Sequence, residues 1–265
     1  MIKTKLILFS LLFVYSNINA QVIEKTYYFD NYTINQKANH ETINFKNTLL
    51  TGRLGEPVLP YQSVSLLLPP GEVAESIEAI GEDEVNIIGT FSLYPQQYVR
   101  PMSYESSGAF VKIELIYATT NAYPSTQTGE LITQYMNGYS IALSSFTPLK
   151  YFPASGRVSY FKKMTIRIHT RKDSKANDAL TKLNSNNEVL KRVKRFVQNP
   201  DLINIYPKKI LNSNNYQLLI ISPAQFEGEF QNLIYLYRIR GLKGKVITTD
   251  SIYASSTGQD SPEKI

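Results

Sequence analysis

Met164-Thr165-Ile166-Arg167-Ile168-His169 alternates apolar and polar residues, and isoleucines supply most of the apolar side. Period two with β-branched residues is the pattern of a strand that keeps one face on a core and one in water. Val111, Ile113, Leu115 and Tyr117 alternate with Lys112, Glu114 and Ile116, which predicts another such strand. Gly55-Glu56-Pro57, Pro69-Pro70-Gly71, Tyr123-Pro124, Asn137-Gly138 and Ser155-Gly156 punctuate the sequence with turns. Short strands at this spacing, over residues 21–170, predict a mainly β domain, sandwich or barrel-like.

Further along, residues 171–210 lose the strand period and become polar and basic, as expected of a partly flexible linker. Leu180 with Leu183, then Val189, Leu190, Val193 and Val197, would fit one short amphipathic helix. Lys194-Arg195-Phe196 closes its basic run and is the expected processing site, because exposed interdomain segments are where proteases cut.

A different grammar governs residues 211–265. Tyr216-Gln217-Leu218-Leu219-Ile220-Ile221 is almost wholly apolar, as in a parallel strand buried on both faces. Ser222-Pro223 reads as an N-cap followed by proline at the first helical position. Phe226, Phe230, Leu233, Ile234 and Tyr237 fall at helical spacing toward the sheet, and Gly241 fits the C′ position. Lys245-Val246-Ile247-Thr248-Thr249 is the returning parallel strand, and Ser261-Pro262 repeats the helix start. A β-α-β unit alone leaves its sheet uncovered, so the chain is expected to be the front part of a larger protein with a truncated α/β domain.

Residues 1–20 carry Lys3 and Lys5, an apolar run from Leu6 to Tyr15, and a polar stretch ending in Ala20. This is the layout of a signal peptide cleaved between Ala20 and Gln21, and the run is too short for a comfortable membrane anchor. The mature chain is therefore expected to be exported to the periplasm, the cell surface or the medium, with no transmembrane anchor. Cysteine is absent from the sequence, which excludes disulfides, thiolate metal sites and a cysteine nucleophile within it. The net charge of +6 arises largely in Arg171-Lys172, Lys191 to Arg195 and Lys208-Lys209 and forms no stripe, so no nucleic-acid partner is expected.

Few residues offer chemistry. His169 and His40, the only histidines, lie in different strand-like segments with no evident partner and read as surface residues. Glu78, Glu82, Asp83 and Glu84 supply oxygens but lack the Asp/Asn and Gly spacing of a calcium loop, so they read as a solvated turn. Asn31-Tyr32-Thr33 matches an N-glycosylation acceptor. Gly241 and Gly244 follow a helix, not a strand, so they form no dinucleotide fingerprint.

Two stretches resemble the gingipain-like secreted cysteine endopeptidases. Gly55 to Pro60, Leu68-Pro69-Pro70-Gly71, Met136-Asn137-Gly138-Tyr139, Thr147-Pro148-Leu149 and Gly156-Arg157-Val158 look like the family's β-rich propeptide. Residues 216–265 look like the opening of its caspase-like catalytic domain. The resemblance implies a zymogen whose propeptide binds its own downstream catalytic domain and is released by cutting at basic residues. It implies a Cys–His pair acting on protein substrates, with both residues beyond Ile265, so no catalytic, cofactor or metal residue is carried over. It also implies a basic side chain that mimics substrate, for which Arg100, Lys150 and Arg157 are the candidates. No cofactor is expected within the chain, and calcium in the full-length parent stays open. The competing readings are an extracellular β-sandwich adhesion module fused to an α/β domain, and a secretion-system sortase of the same peptidase fold.

Overall fold

The computed structural model describes residues 21–98, 109–208 and 216–265. In chain order the strands and helices are β1 (Val22–Tyr28), β2 (Tyr32–Lys37), β3 (His40–Phe45), β4 (Leu49–Thr51), β5 (Leu59–Leu67), β6 (Glu72–Ile87), α1 (Glu114–Tyr117), β7 (Ile132–Met136), β8 (Tyr139–Phe146), β9 (Leu149–Phe152) and β10 (Arg157–Lys172). They continue with α2 (Ser174–Thr181), α3 (Asn187–Phe196), β11 (Leu218–Ser222), α4 (Gln231–Ile239), β12 (Gly244–Thr248) and α5 (Thr249–Ser255).

β10 is the spine of the first sheet. One edge pairs antiparallel with β6, and the other is shared end to end by β9 and β1. The alternation seen in the sequence is realised: Met164, Ile166 and Ile168 are fully buried. On the opposite face Thr165 meets Thr26 across the strands (Oγ1–Oγ1 3.1 Å), and Arg167 pairs with Glu24 at 2.6 Å. A second sheet runs β4-β5-β8-β7, and β2-β3 forms a separate hairpin. The two large sheets stack with Val64, Leu66, Ala142 and Phe146 of the second against Tyr160, Met164, Ile166 and Ile168 of the first. Both sheets remain open, so the sandwich alternative is the one adopted and no barrel closes.

Where its central strands β5 and β8 pair, the second sheet is covered on both faces. Leu66 points into the sandwich, while its neighbour Leu67 joins Tyr139 and Ile141 in a second core. That core is completed by Leu183, Val189, Val193, Val197, Ile203 and Tyr206. The stretch expected to be a partly flexible linker is thus a folded third layer of α2, α3 and a 3₁₀ segment, Pro200–Ile205. It also forms two helices where one was expected. Asp173 caps α2 through Lys175 N–H (2.9 Å), and Asn186 caps α3 through Val189 N–H (2.8 Å), so the chain restarts between them. Burying each of these leucines and valines contributes about 1.5–3 kcal/mol, which holds the layer against its polar composition.

The β7–β8 hairpin turns at Asn137 (φ 51°) and Gly138 (φ 91°), the two left-handed positions of a tight hairpin. Glycine is required there twice over, because a Cβ would lie 2.4 Å from the Leu183 Cα of the helical layer.

The strand expected over Val111–Tyr117 is not formed. Ile113 N–H donates to Gly55 O at 2.9 Å, and the chain then makes the helical turn α1. That turn buries Tyr117 and lets its hydroxyl donate to Leu93 O at 2.6 Å, a bond that an extended chain would forgo.

Residues 218–248 form the expected β-α-β unit, with β11 and β12 parallel and Ile220 opposite Val246. Its details differ from expectation. Ser222 ends β11, a 3₁₀ segment covers Ala224–Phe230, and α4 starts only at Gln231. Ile234 and Tyr237 are half-buried, whereas Phe226 and Leu233 remain 48% and 40% exposed. Leu219 and Ile221 are also exposed, so this sheet is not covered on both faces here. The helix α5 was not read from the sequence; Thr248 caps it by accepting from Ser251 N–H at 3.2 Å. The second Ser-Pro stretch forms a turn and not a helix over residues 261–264, where Asp260 Oδ1 accepts from Glu263 N–H at 3.0 Å.

Candidate functional site

The sequence-derived candidates separate into three places. Ala20 lies outside the described residues. Gln21, the expected first residue after cleavage, is anchored: its carbonyl accepts from Thr170 N–H and from Thr170 Oγ1, both at 2.9 Å.

The second place is the polar surface of the first sheet. Lys150 pairs with Glu84 at 3.2 Å and lies 4.4 Å from the centroid of the Phe161 ring. Arg157 stacks 3.7 Å from the Phe152 centroid and donates to Asn86 Oδ1 at 3.2 Å. Both candidate substrate mimics are therefore strand residues held against their neighbours. The acidic cluster is divided among partners in the same way: Glu78 meets Arg167 and His169, Glu82 meets Lys163, and Glu84 meets Lys150. Among the described residues, no group of acidic or histidine side chains could hold a metal ion.

Ser159 Oγ donates to Glu84 at 2.6 Å, and this bond, ahead of Lys150, holds the Glu84 carboxyl below the usual range. Its folded value lies below that of the unfolded chain. The stabilisation is therefore full above the unfolded value and fades as pH falls through the folded one. Ser159→Ala is expected to raise the Glu84 carboxyl toward its ordinary value, and side-chain carboxyl NMR across an acid titration checks this.

Both histidines are partly exposed and engaged by local side chains. His169 Nε2 sits 3.2 Å from Glu78 Oε1, and His40 Nδ1 lies 3.0 Å from Ser92 Oγ while its ring stacks on Phe110. Asn31 of the glycosylation triplet is exposed. Arg100 lies outside the described residues, but the chain on either side of its segment is clamped. Gln97 Nε2 donates to Val111 O at 2.7 Å, and Gln97 Oε1 accepts from Val111 N–H at 2.9 Å.

The third place is the helical layer, where the processing candidates fall. Lys194, Arg195 and Phe196 form the end of α3 and are exposed. The residues after them grip β5. On its outer edge Gln198 Oε1 accepts from Ser65 N–H and Gln198 Nε2 donates to Ser63 O, both at 3.0 Å. Asn199 Oδ1 accepts from Leu67 N–H at 2.7 Å, and its Nδ2 donates to Leu67 O at 3.0 Å. Two side-chain amides thus stand in for a neighbouring strand. Tyr206 finishes the grip by donating to Leu68 O at 2.7 Å and accepting from Ser140 N–H at 3.2 Å; burial pushes its phenol up to about 12. None of these three residues was singled out from the sequence, and polar amides beside a basic run gave no signal for it.

The same layer meets the β-α-β unit. Arg192, Asn184 and Asn186 reach the carboxyl end of α4, where Gly241 packs on Val189. Among the described residues the arrangement offers contact surfaces, to β5 through Gln198 and Asn199 and to α4 through Arg192.

The Propeptide_C25 family model matches residues 21–198. A chain of the complex of Porphyromonas gingivalis RgpB pro- and mature domains is 15% identical, with a TM-score of 0.50, over 68% of this chain and 93% of that one. A structure of gingipain K from the same organism, described in terms of zymogenic latency, is 16% identical, with a TM-score of 0.46, over 59% of this chain and 90% of that one. No curated protein matches the chain.

Proposed function

From the premise that the chain belongs to the Propeptide_C25 family, the propeptides of gingipain-type peptidase zymogens, we propose that residues 21–208 restrain a downstream cysteine peptidase domain that begins near residue 216. The family match over residues 21–198 carries this reading. Supporting it, the folded β domain is followed directly by a parallel β-α-β unit that rests on its helical layer. The reading takes the catalytic thiolate and histidine to lie beyond Ile265, and it gives His40 and His169 no catalytic part. Adhesion has no comparable support, since the matching family spans the β domain itself.

In this reading a signal peptide ends at Ala20, and maturation cuts at a basic residue such as Arg195. Lys150 and Arg157 are engaged on the sheet surface, which leaves Arg100, beyond the Gln97 clamp, as the preferred substrate mimic. Covalent attachment keeps the propeptide at high effective concentration, so modest intrinsic affinity is enough for latency.

The test is to add residues 21–265 to an active gingipain-type peptidase and follow peptide hydrolysis. Concentration-dependent inhibition is expected, weakened at least about tenfold by Arg100→Ala, as for a central charged anchor. Absence of inhibition at high micromolar concentration overturns the proposal. Inhibition insensitive to Arg100→Ala overturns only the choice of mimic.

A further inference from the structure

The last turn of an α-helix leaves carbonyls without intrahelical donors and carries the negative end of the helix dipole. At the end of α4 three successive carbonyls receive donors from the helical layer. The Arg192 guanidinium donates through Nη1 to Arg240 O at 2.6 Å and through Nη2 to Ile239 O. Gly241 O accepts from Asn184 Nδ2 at 3.0 Å and from Asn186 Nδ2 at 3.3 Å.

These donors are aimed in advance. Asn186 Oδ1 is occupied in capping α3 at Val189, and Asn184 Oδ1 accepts from Asn186 N–H at 3.1 Å. With both oxygens turned into their own loop, both amide nitrogens face outward. Shape adds a further requirement. Gly241 adopts φ 76° and is buried, and a Cβ on it would lie 2.2 Å from Val189 Cγ2. Val189 is itself fully buried in the second core, so the approach rests on a fixed wall.

We propose that Asn184, Asn186 and Arg192 form a docking latch of the propeptide, and that its partner is the carboxyl end of the first helix of the α/β unit. The latch reads a backbone feature, three free carbonyls at a left-handed glycine, and needs no substrate-like side chain. Its role in latency rests on the reading of residues 216–265 as the start of the peptidase domain; the contact itself does not.

Amide hydrogen exchange on the full chain tests it. Gly241 N–H and Leu242 N–H close the α4 terminus on Arg238 O and Tyr237 O and report its order. Arg192→Ala is expected to speed exchange over residues 237–242 about tenfold, as for loss of a charge-assisted pair of bonds. Arg192→Lys keeps the charge but loses the fork and should give an intermediate rate. Lys191→Ala, which removes a cation from the same helix, should change nothing there. Unchanged exchange in Arg192→Ala overturns the latch, and so does an equal acceleration throughout β10, which would mark general destabilisation. The measurement involves no peptidase, so its failure and a failure of the inhibition assay are separable.

Discussion

Ile166→Ala is expected to destabilise the β domain by about 3 kcal/mol, within the range for removing a buried isoleucine and leaving a cavity. The magnitude follows from its position. Ile166 is fully buried on the central strand β10, with Lys25 of β1 and Ala79 of β6 as register partners. Neighbours on both flanks are fixed by ladder bonds, so the site has little freedom to collapse around the missing atoms. Urea unfolding followed by tyrosine fluorescence should show a lower midpoint with an unchanged slope. Ile166→Val, which keeps the branch at Cβ, should cost about 1 kcal/mol. A loss for alanine no larger than that for valine would contradict the cavity argument. Arg167→Ala makes a useful contrast: its pairs with Glu24 and Glu78 lie on the wet face, and exposed pairs contribute about 0–1 kcal/mol.

The second large effect is expected at Asn199. Its side-chain amide satisfies both Leu67 N–H and Leu67 O on the outer edge of β5, past the stretch at Leu59–Tyr61 that β4 pairs. Asn199→Ala leaves two buried backbone groups unpaired, at about 1–3 kcal/mol each where water cannot replace the amide. A loss of about 2–3 kcal/mol is expected, together with faster hydrogen exchange at Leu67. Asn199→Asp keeps an acceptor for the N–H but sets a carboxylate against Leu67 O, so it should not rescue the loss at neutral pH. Retained protection of the Leu67 amide in Asn199→Ala would show that the edge is held some other way. The change also bears on processing. A cut after Arg195 leaves residues 196–208 still held, to β5 through Gln198 and Asn199 and to Leu68 and Ser140 through Tyr206. Asn199→Ala should therefore speed separation of the cut pieces as well as lower stability.

How far the sequence reveals this molecule depends on the range of the interactions involved. The alternation at Met164–His169 is local and translates directly into one buried and one wet face. The Asn137-Gly138 turn is legible for the same reason, since its backbone angles follow from residue type. Val111–Tyr117 departs from its alternating pattern because its conformation is set from outside, by Gly55, Gln97 and Leu93. The helical layer was half legible. Its apolar residues were found, but its function as a wall depends on Leu67 and Ile141 presenting apolar side chains on the far face of the second sheet. Consecutive leucines at 66–68 carry that signal, since a strand apolar at adjacent positions must be covered on both sides. Gln198, Asn199 and Arg192 had no such pattern, because an amide or guanidinium that satisfies distant backbone looks in sequence like any surface residue.

The placement of β10 also fixes an order of events during synthesis. β1 emerges first, yet its partner in the sheet is the far end of β10, with Val22 opposite His169. β6 waits for the same strand. Such long-range pairing makes closure slow and late, so the first sheet has no spine until the chain is available as far as Lys172. The helical layer follows over the next 34 residues, ending at Tyr206. The β domain can therefore complete itself in one step, just ahead of β11, and whatever follows in the chain emerges beside a surface that is already built.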